Sequence, residues 1–345
     1  MRYPIKGQSH SLPESNMTSL SPEEIWDMSK NEVGNLLKSR PIPKKKKIVF
    51  YSPSFANYRT KHYCSSKSAF PTISITGSAC SLNCKHCAGQ VLKTMHRAVT
   101  PQELMERGIE LKRKGAKGVL ISGGCLPDGS IPLNEFTSTI KWLKLNLGLT
   151  VFVHTGVIDS NAVLKLKDAG VDAALIDVIG SEATIAKICN GSALLKDYSS
   201  SLSALNQGGL KFIPHVIVGL NEGRLEGEFT ALQMIKQVKP SAIVIIAFMP
   251  IRGTPMEKTP PPEPIDIAKV IILARTMFPN IPLALGCMRP KGVTREEIDE
   301  LALRAGVDAI AFPSESIVEF VKSHNYAFSF SPYCCAQMYL DMAKN

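Results

Sequence analysis

Short β-branched runs alternate with amphipathic helical stretches from residue 72 to residue 312, and this rhythm restricts the fold more than any other feature. The runs are "TISIT" (72–76), "GVLIS" (118–122), "TVFVH" (150–154), "AALIDV" (173–178), "FIPHVIV" (212–218), "AIVIIAF" (242–248), "PLALG" (282–286) and "DAIAF" (308–312). Helical stretches between them include "PQELMERGIELKRKG" (101–115) and "TREEIDELALRAG" (294–306). Parallel neighbours need crossover connections, so this alternation implies βα units on a parallel sheet. Eight units over about 250 residues match an α/β fold of the closed (βα)8 TIM-type barrel kind. A doubly wound open sheet is the alternative, but no GxGxxG follows the first run. The expected organisation is an N-terminal extension (1–70), the barrel (71–324) and a C-terminal tail (325–345).

Within the extension, "SPEEIWDMSKNEVGNLLKSR" reads as a helix over about 21–39. Ser21 caps it, Pro22 sits in the first turn and Glu24 completes a capping box. Trp26, Val33, Leu36 and Leu37 give it an apolar side. "PIPKKKK" is a linker, and the first fifteen or so residues are expected to be mobile.

Of the 345 residues, 44% are hydrophobic and 20% charged, the balance of an ordinary globular protein. No apolar run reaches membrane-spanning length, and "MRYPIKGQSHSLPESN" lacks the apolar core of a signal peptide. The expectation is a cytoplasmic protein with no membrane partner. In that compartment nine cysteines are thiols or metal ligands rather than a disulfide framework. The net charge of +10, part of it in Lys44–Lys47, favours an acidic partner. No aromatic-rich motif accompanies it, so specific nucleic-acid binding is not expected.

In a barrel the chemistry lies at the C-terminal ends of the strands. "CSLNCKHC" (80–87) follows the first run and places Cys80, Cys84 and Cys87 in one loop. Gly123, Gly124 and Cys125 follow the second run. His154 ends the third, and Asp177 is near the end of the fourth. "FMPIRGTPM" follows the sixth, and Cys287 with Arg289 follows the seventh. Structural zinc usually takes four ligands, often from two CxxC pairs, and no second pair matches this triplet. Three thiolates suit a [4Fe–4S] cluster that leaves one iron open.

With these motifs the sequence resembles the radical S-adenosylmethionine enzymes over roughly residues 70 to 315. The resemblance implies that Cys80, Cys84 and Cys87 hold the cluster and that S-adenosylmethionine binds the open iron. Its reductive cleavage would give a 5′-deoxyadenosyl radical. His86 stands where the family usually has an aromatic residue. "SGGC" (122–125) is similar to the family's glycine-rich turn, so Gly123 and Gly124 are expected against the methionyl amine. Asp177 is expected near the ribose hydroxyls. "PHVIVGLNEG" (214–223) and "MPIRGTPM" (249–256) look like segments of the biotin synthase-like branch, which adds His215 to the cofactor-binding set. His215 also reads as a satisfied core histidine.

The nearest resemblance within that branch is to archaeal-type biotin synthase homologues, including subunits of two-component lipoyl synthases. It implies sulfur insertion into C–H bonds of a protein-bound octanoyl chain. It also implies an acyl-carrier partner such as an octanoylated lipoyl domain, a second radical enzyme, and an electron donor such as ferredoxin. Sulfur-inserting relatives carry a second iron–sulfur cluster. Its candidate ligands here are Cys64, Cys334 and Cys335, with Cys287 as a fourth. Cys189, on a helical stretch, is expected to be buried apolar filling. Biotin-type sulfur insertion, a single-cluster methyl transfer, lyase or rearrangement reaction, and a non-catalytic iron–sulfur scaffold stay open as alternatives.

Overall fold

The computed structural model describes residues 20–39 and 47–343. The expected mobile N-terminus and most of the "PIPKKKK" linker, with Lys44–Lys46, lie outside the described residues. The strands are β1 (Lys47–Tyr51), β2 (Thr72–Ser74), β3 (His96–Arg97), β4 (Gly118–Ser122), β5 (Thr150–His154), β6 (Ala173–Asp177), β7 (Phe212–Val218), β8 (Ile243–Ala247), β9 (Leu283–Leu285), β10 (Ala309–Ala311) and β11 (Ala327–Ser331). Each of the eight expected runs contains one of them. The helices are α1 (Pro22–Asp27), α2 (Lys30–Ser39), α3 (Pro101–Arg113), α4 (Thr137–Leu147), α5 (Ser160–Asp168), α6 (Glu182–Ile188), α7 (Leu195–Gly208), α8 (Glu228–Lys236), α9 (Pro264–Met277), α10 (Val293–Ala305), α11 (Glu315–Ser323) and α12 (Met338–Ala343).

The strands form one curled sheet in the order β11-β1-β10-β9-β8-β7-β6-β5-β4-β2-β3, with every ladder parallel. From β2 to β10 this is the neighbour order of a (βα)8 barrel. The ring is left open, and strand pairing does not join β10 to β2. Instead β1 from the N-terminal extension pairs with β10, and β11 from the tail pairs with β1. The turn after β1 nevertheless meets the segment before β2. There the Ser54 amide donates to the Phe70 carbonyl (3.3 Å), and the Phe70 amide donates to Ser54 Oγ (3.0 Å).

Strand parity sorts the apolar residues into two layers. Large side chains such as Ile121, Val153, Ile176 and Ile245 face outward to the helices. The inner face carries Phe152 and many small residues, among them Ala173, Ala284, Ala309 and Ala311. Those alanines leave room that the tail fills with Cys334, Cys335, Ala336 and Met338. An eight-stranded closed barrel encloses little more than its own side chains, so the inserted tail is accommodated by a wider, open sheet. α12 is held there by the Tyr51 hydroxyl donating to Asp341 (2.7 Å) and by Tyr339 donating to the Asp172 carbonyl at the start of β6 (2.9 Å).

The expected capping box of Ser21 and Glu24 is present. The single helix expected over 21–39 is two helices. Ser29 and Glu32 form a second reciprocal cap (2.7 and 3.4 Å), which starts α2 afresh after Met28. Both helices lie against α9. Lys30 pairs with Glu263 (2.7 Å) and Asp266 (3.1 Å), and Lys269 donates to the Met28 carbonyl (2.7 Å).

Candidate metal centre

The loop after β2 is braced from two sides. On one side Thr76 Oγ1 donates to the Ala79 carbonyl (2.8 Å) and accepts from the Gly124 amide (2.7 Å), while the Ser81 amide donates to the Cys125 carbonyl (2.8 Å). On the other, the Lys85 amide donates to the Ile188 carbonyl (2.9 Å), and Asn190 Nδ2 donates to the Asn83 carbonyl (3.0 Å). Inside the loop the amides of Cys87 (3.1 Å) and Ala88 (2.8 Å) both donate to the Cys84 carbonyl. Asn83 (φ 41°) and Ala88 (φ 44°) are left-handed, a conformation that non-glycine side chains resist. These braces hold Cys80, Cys84 and Cys87 on one compact turn.

The thiols differ in acidity. A hydrogen bond from the Cys125 thiol, joined by backbone amides, pulls Cys80 down to about 5. The Cys189 thiol lowers Cys84 in the same way, and the shared protons stay on Cys125 and Cys189. Burial pushes Cys87 up to about 11. Three thiols on one turn, two of them favoured as thiolates, form a soft donor set that fits a [4Fe–4S] cluster with three protein ligands.

Sequence reasoning missed two members of this group. Cys189 packs against the apolar cluster of Ile185 and Ile188, as expected of filling, but α6 ends at Ile188 and the half-buried thiol also meets Cys84. The Asn190-Gly191 pair that follows it was the available stop signal. Cys125 was assigned no side-chain role, yet its thiol meets Cys80. Gly124 has a steric reason of its own. A Cβ there would lie 2.0 Å from the Ala79 carbonyl oxygen and 2.6 Å from Cys80 Cβ, so only glycine lets the cysteine loop seat on β4. At Gly123 the closest approach is milder, 3.1 Å from Thr76.

His154 and Asp177 stand on the inner face at the C-terminal ends of β5 and β6, and His215 stands beside them in the middle of β7. One donor atom from each lies within 4.8 Å of the others. His154 Nε2 is 3.8 Å from Asp177 Oδ1, and the two imidazole rings are 5.7 Å apart. His215 Nδ1 faces the Ile213 carbonyl at 3.1 Å, and burial lowers its pKa to about 4. The charge of Asp177 is felt at His86, Cys87, Cys125 and Cys189, so this trio adjoins the cysteine turn. Buried His86 Nδ1 has no partner among the described residues. The "MPIRGTPM" loop reaches the same region, where Gln90 Nε2 donates to the Gly253 carbonyl (3.5 Å). A cavity of ≈ 630 Å³ lined by Leu126, Thr155, Asp159 and Ser201 lies to one side and includes neither the three cysteines nor the trio.

The four expected ligands of a second cluster divide. Cys334 and Cys335 are buried, and Cys287 is close enough to raise Cys335 electrostatically. Cys64 is exposed, with its thiol toward the Ser65 carbonyl at 3.9 Å. The Arg59–Cys64 bridge and the stacking of Tyr63 on Phe330 (4.5 Å) turn it outward. Cys64 thus differs from the other three in lying exposed at the surface. Arg289 is fully buried and paired with the equally buried Asp299, so it serves the fold.

Residues 74–228 match the family model described as the radical SAM superfamily. Biotin synthase of Legionella pneumophila (strain Lens) is 24% identical over 272 residues, spanning 76% of this chain and 84% of the relative. Biotin synthase of Methylacidiphilum infernorum (isolate V4) is 25% identical over 253 residues, spanning 69% and 78%. Among solved structures, HydG, a maturase of the [FeFe]-hydrogenase, superposes with a TM-score of 0.62 at 16% identity, over 94% of this chain and 75% of its own. Methylornithine synthase (PylB) gives 0.58 at 17% identity, over 89% and 92%. Both structures share the fold.

Proposed function

Because the chain carries a radical SAM domain and has biotin synthases among its relatives, we propose that this radical SAM enzyme inserts sulfur into C–H bonds of a protein-bound octanoyl chain, as lipoyl synthases do. The observation that carries the chemistry is the braced turn with Cys80, Cys84 and Cys87 at the C-terminal end of the sheet. Cys80, Cys84 and Cys87 would hold a [4Fe–4S] cluster there, and the chemistry it would supply is one electron for the reductive cleavage of S-adenosylmethionine and, through the resulting radical, hydrogen abstraction from the substrate. Cys80 and Cys84 are already favoured as thiolates, and the amides of the turn stabilise them. Gly123 and Gly124 border the turn where the methionyl amine would lie. Asp177, whose charge is felt at Cys87, and His215 beside it in register would meet the cofactor's ribose. Cys287, Cys334 and Cys335 are the thiols gathered for a second, sulfur-donating cluster. The +10 charge suits an acidic carrier such as an octanoylated lipoyl domain, with ferredoxin as electron donor and a second radical enzyme as partner.

A single-cluster reaction is the competing reading, and the exposure of Cys64 favours it. Biotin-type insertion is a third reading, distinguished by its substrate and by the number of sulfur atoms inserted. The test is anaerobic reconstitution followed by assays for 5′-deoxyadenosine and for the mass of octanoylated carrier protein, with and without a partner enzyme. Alanine at Cys80, Cys84 or Cys87 should abolish deoxyadenosine formation. Wild-type yield from any of the three would reject the cluster assignment. A carrier that gains no sulfur with either enzyme set would reject sulfur insertion into that substrate.

A further inference from the structure

Two of the three cysteines on the turn each face a second thiol from another loop. The Cys125 thiol hydrogen-bonds to Cys80, and the Cys189 thiol hydrogen-bonds to Cys84. Backbone contacts fix both pairs in the same manner. The amide after Cys80, that of Ser81, donates to the Cys125 carbonyl (2.8 Å). The amide after Cys84, that of Lys85, donates to the Ile188 carbonyl beside Cys189 (2.9 Å). Gly124 lets the first pair close up, because a Cβ there would stand 2.6 Å from Cys80 Cβ. Cys87 has no thiol partner of this kind among the described residues.

A cluster with three protein ligands needs neither Cys125 nor Cys189. Without a cluster the ligand thiols are open to oxidation, since Cys80 and Cys87 are half-buried and Ser81, Asn83 and Lys85 around them are exposed. A thiol oxidised to sulfenic acid is recoverable if a neighbouring thiol captures it as a disulfide. Left alone it goes on to sulfinic acid, which is not.

We propose that in the cluster-free chain Cys80 with Cys125, and Cys84 with Cys189, close as two disulfides that store the ligand thiols reversibly. The oxidant is a peroxide. The Cys80 thiolate attacks one peroxide oxygen, the O–O bond breaks, and hydroxide leaves as Cys80 becomes a sulfenic acid. The Cys125 thiol attacks that sulfur, the S–S bond forms, and the second oxygen departs as water. Two thiols are oxidised by two electrons, and hydrogen peroxide is reduced to two waters. Cys84 and Cys189 react in the same way. A dithiol reverses both links by exchange and returns Cys80 and Cys84 to the cluster. This inference rests on the three cysteines holding a cluster and is independent of the substrate.

The test starts from full-length protein stripped of iron, reduced, and treated with hydrogen peroxide in small molar excess. Free thiols are alkylated, and unreduced tryptic peptides are mapped by mass spectrometry. The peptide that carries Cys80 and Cys84 should be linked to those of Cys125 and Cys189, with Cys87 alkylated. Cys125→Ser should lose one link and Cys189→Ser the other. In Cys125→Ser, sulfinic acid at Cys80 should rise at least about threefold. Dithiothreitol, followed by iron and sulfide, should restore the oxidised wild type to the iron content of protein never oxidised, but not the oxidised Cys125→Ser variant. Links among Cys80, Cys84 and Cys87 themselves, an unlinked wild type, or equal sulfinic acid in the wild type and Cys125→Ser would each overturn the proposal. Lower iron in never-oxidised Cys125→Ser would overturn it too, by making Cys125 a cluster ligand. A wild type that takes up no iron before oxidation would reject the cluster assignment, and the store of ligand thiols with it.

Discussion

Glu228 shows how much one buried side chain can set. It opens α8 and is 3% exposed. Its Oε1 accepts from the Gly219 amide (2.8 Å), while Oε2 has no partner among the described residues. Burial pushes its pKa from 4.5 up to about 7. The folded chain therefore holds this proton over a pH range where the unfolded chain has lost it. Stability is full below about pH 4.5, falls as pH rises toward 7, and stays reduced above, by about 3 kcal/mol in all. Glu228→Gln keeps the acceptor for Gly219 and removes the charge. The variant should melt close to the wild type near pH 5 and clearly higher at pH 8. A difference in melting temperature that does not change with pH would reject this account.

Between elements, the fully buried pair of Arg289 and Asp299 ties β9, β10 and α10 together. Arg289 donates to Asp299 Oδ1 (3.0 and 2.7 Å) and to the carbonyls of Gly286 (2.6 Å), Ala311 (2.7 Å) and Phe312 (3.2 Å). Asp299 Oδ2 accepts from the Ser314 amide (2.7 Å) at the entry to α11. A guanidinium suits this place because its planar fork meets several acceptors at once. Removing it strands a carboxylate in the interior. Arg289→Met should cost about 3–5 kcal/mol in chemical denaturation. The double variant Arg289→Met with Asp299→Leu should recover part of that loss. No recovery would mean that the bonds to the carbonyls, rather than the stranded charge, dominate.

For the whole molecule, the question is what the tail does inside the sheet. If Cys287, Cys334 and Cys335 hold a second cluster, reconstituted protein carries about eight iron atoms, and the double variant Cys334→Ala with Cys335→Ala carries about four. Equal iron in the two proteins would make these thiols packing atoms. The sequence alone determined the parallel order of eight strands, because β-branched runs and crossover helices leave few topologies. It also determined the cysteine turn, because a local motif carries its own spacing. His154, Asp177 and His215 were half legible: the first two were visible at strand ends and the third within a strand, but their meeting follows from strand parity and register. Cys125 beside Cys80, and Cys189 beside Cys84, depend on where two other loops fold back, which local sequence does not encode. The unclosed ring, the strands β1 and β11 at its edge, and the outward turn of Cys64 were decided by tertiary structure. The physical reason is volume: the small inner residues leave a space that only a distant segment of the chain fills, and the wall widens around it.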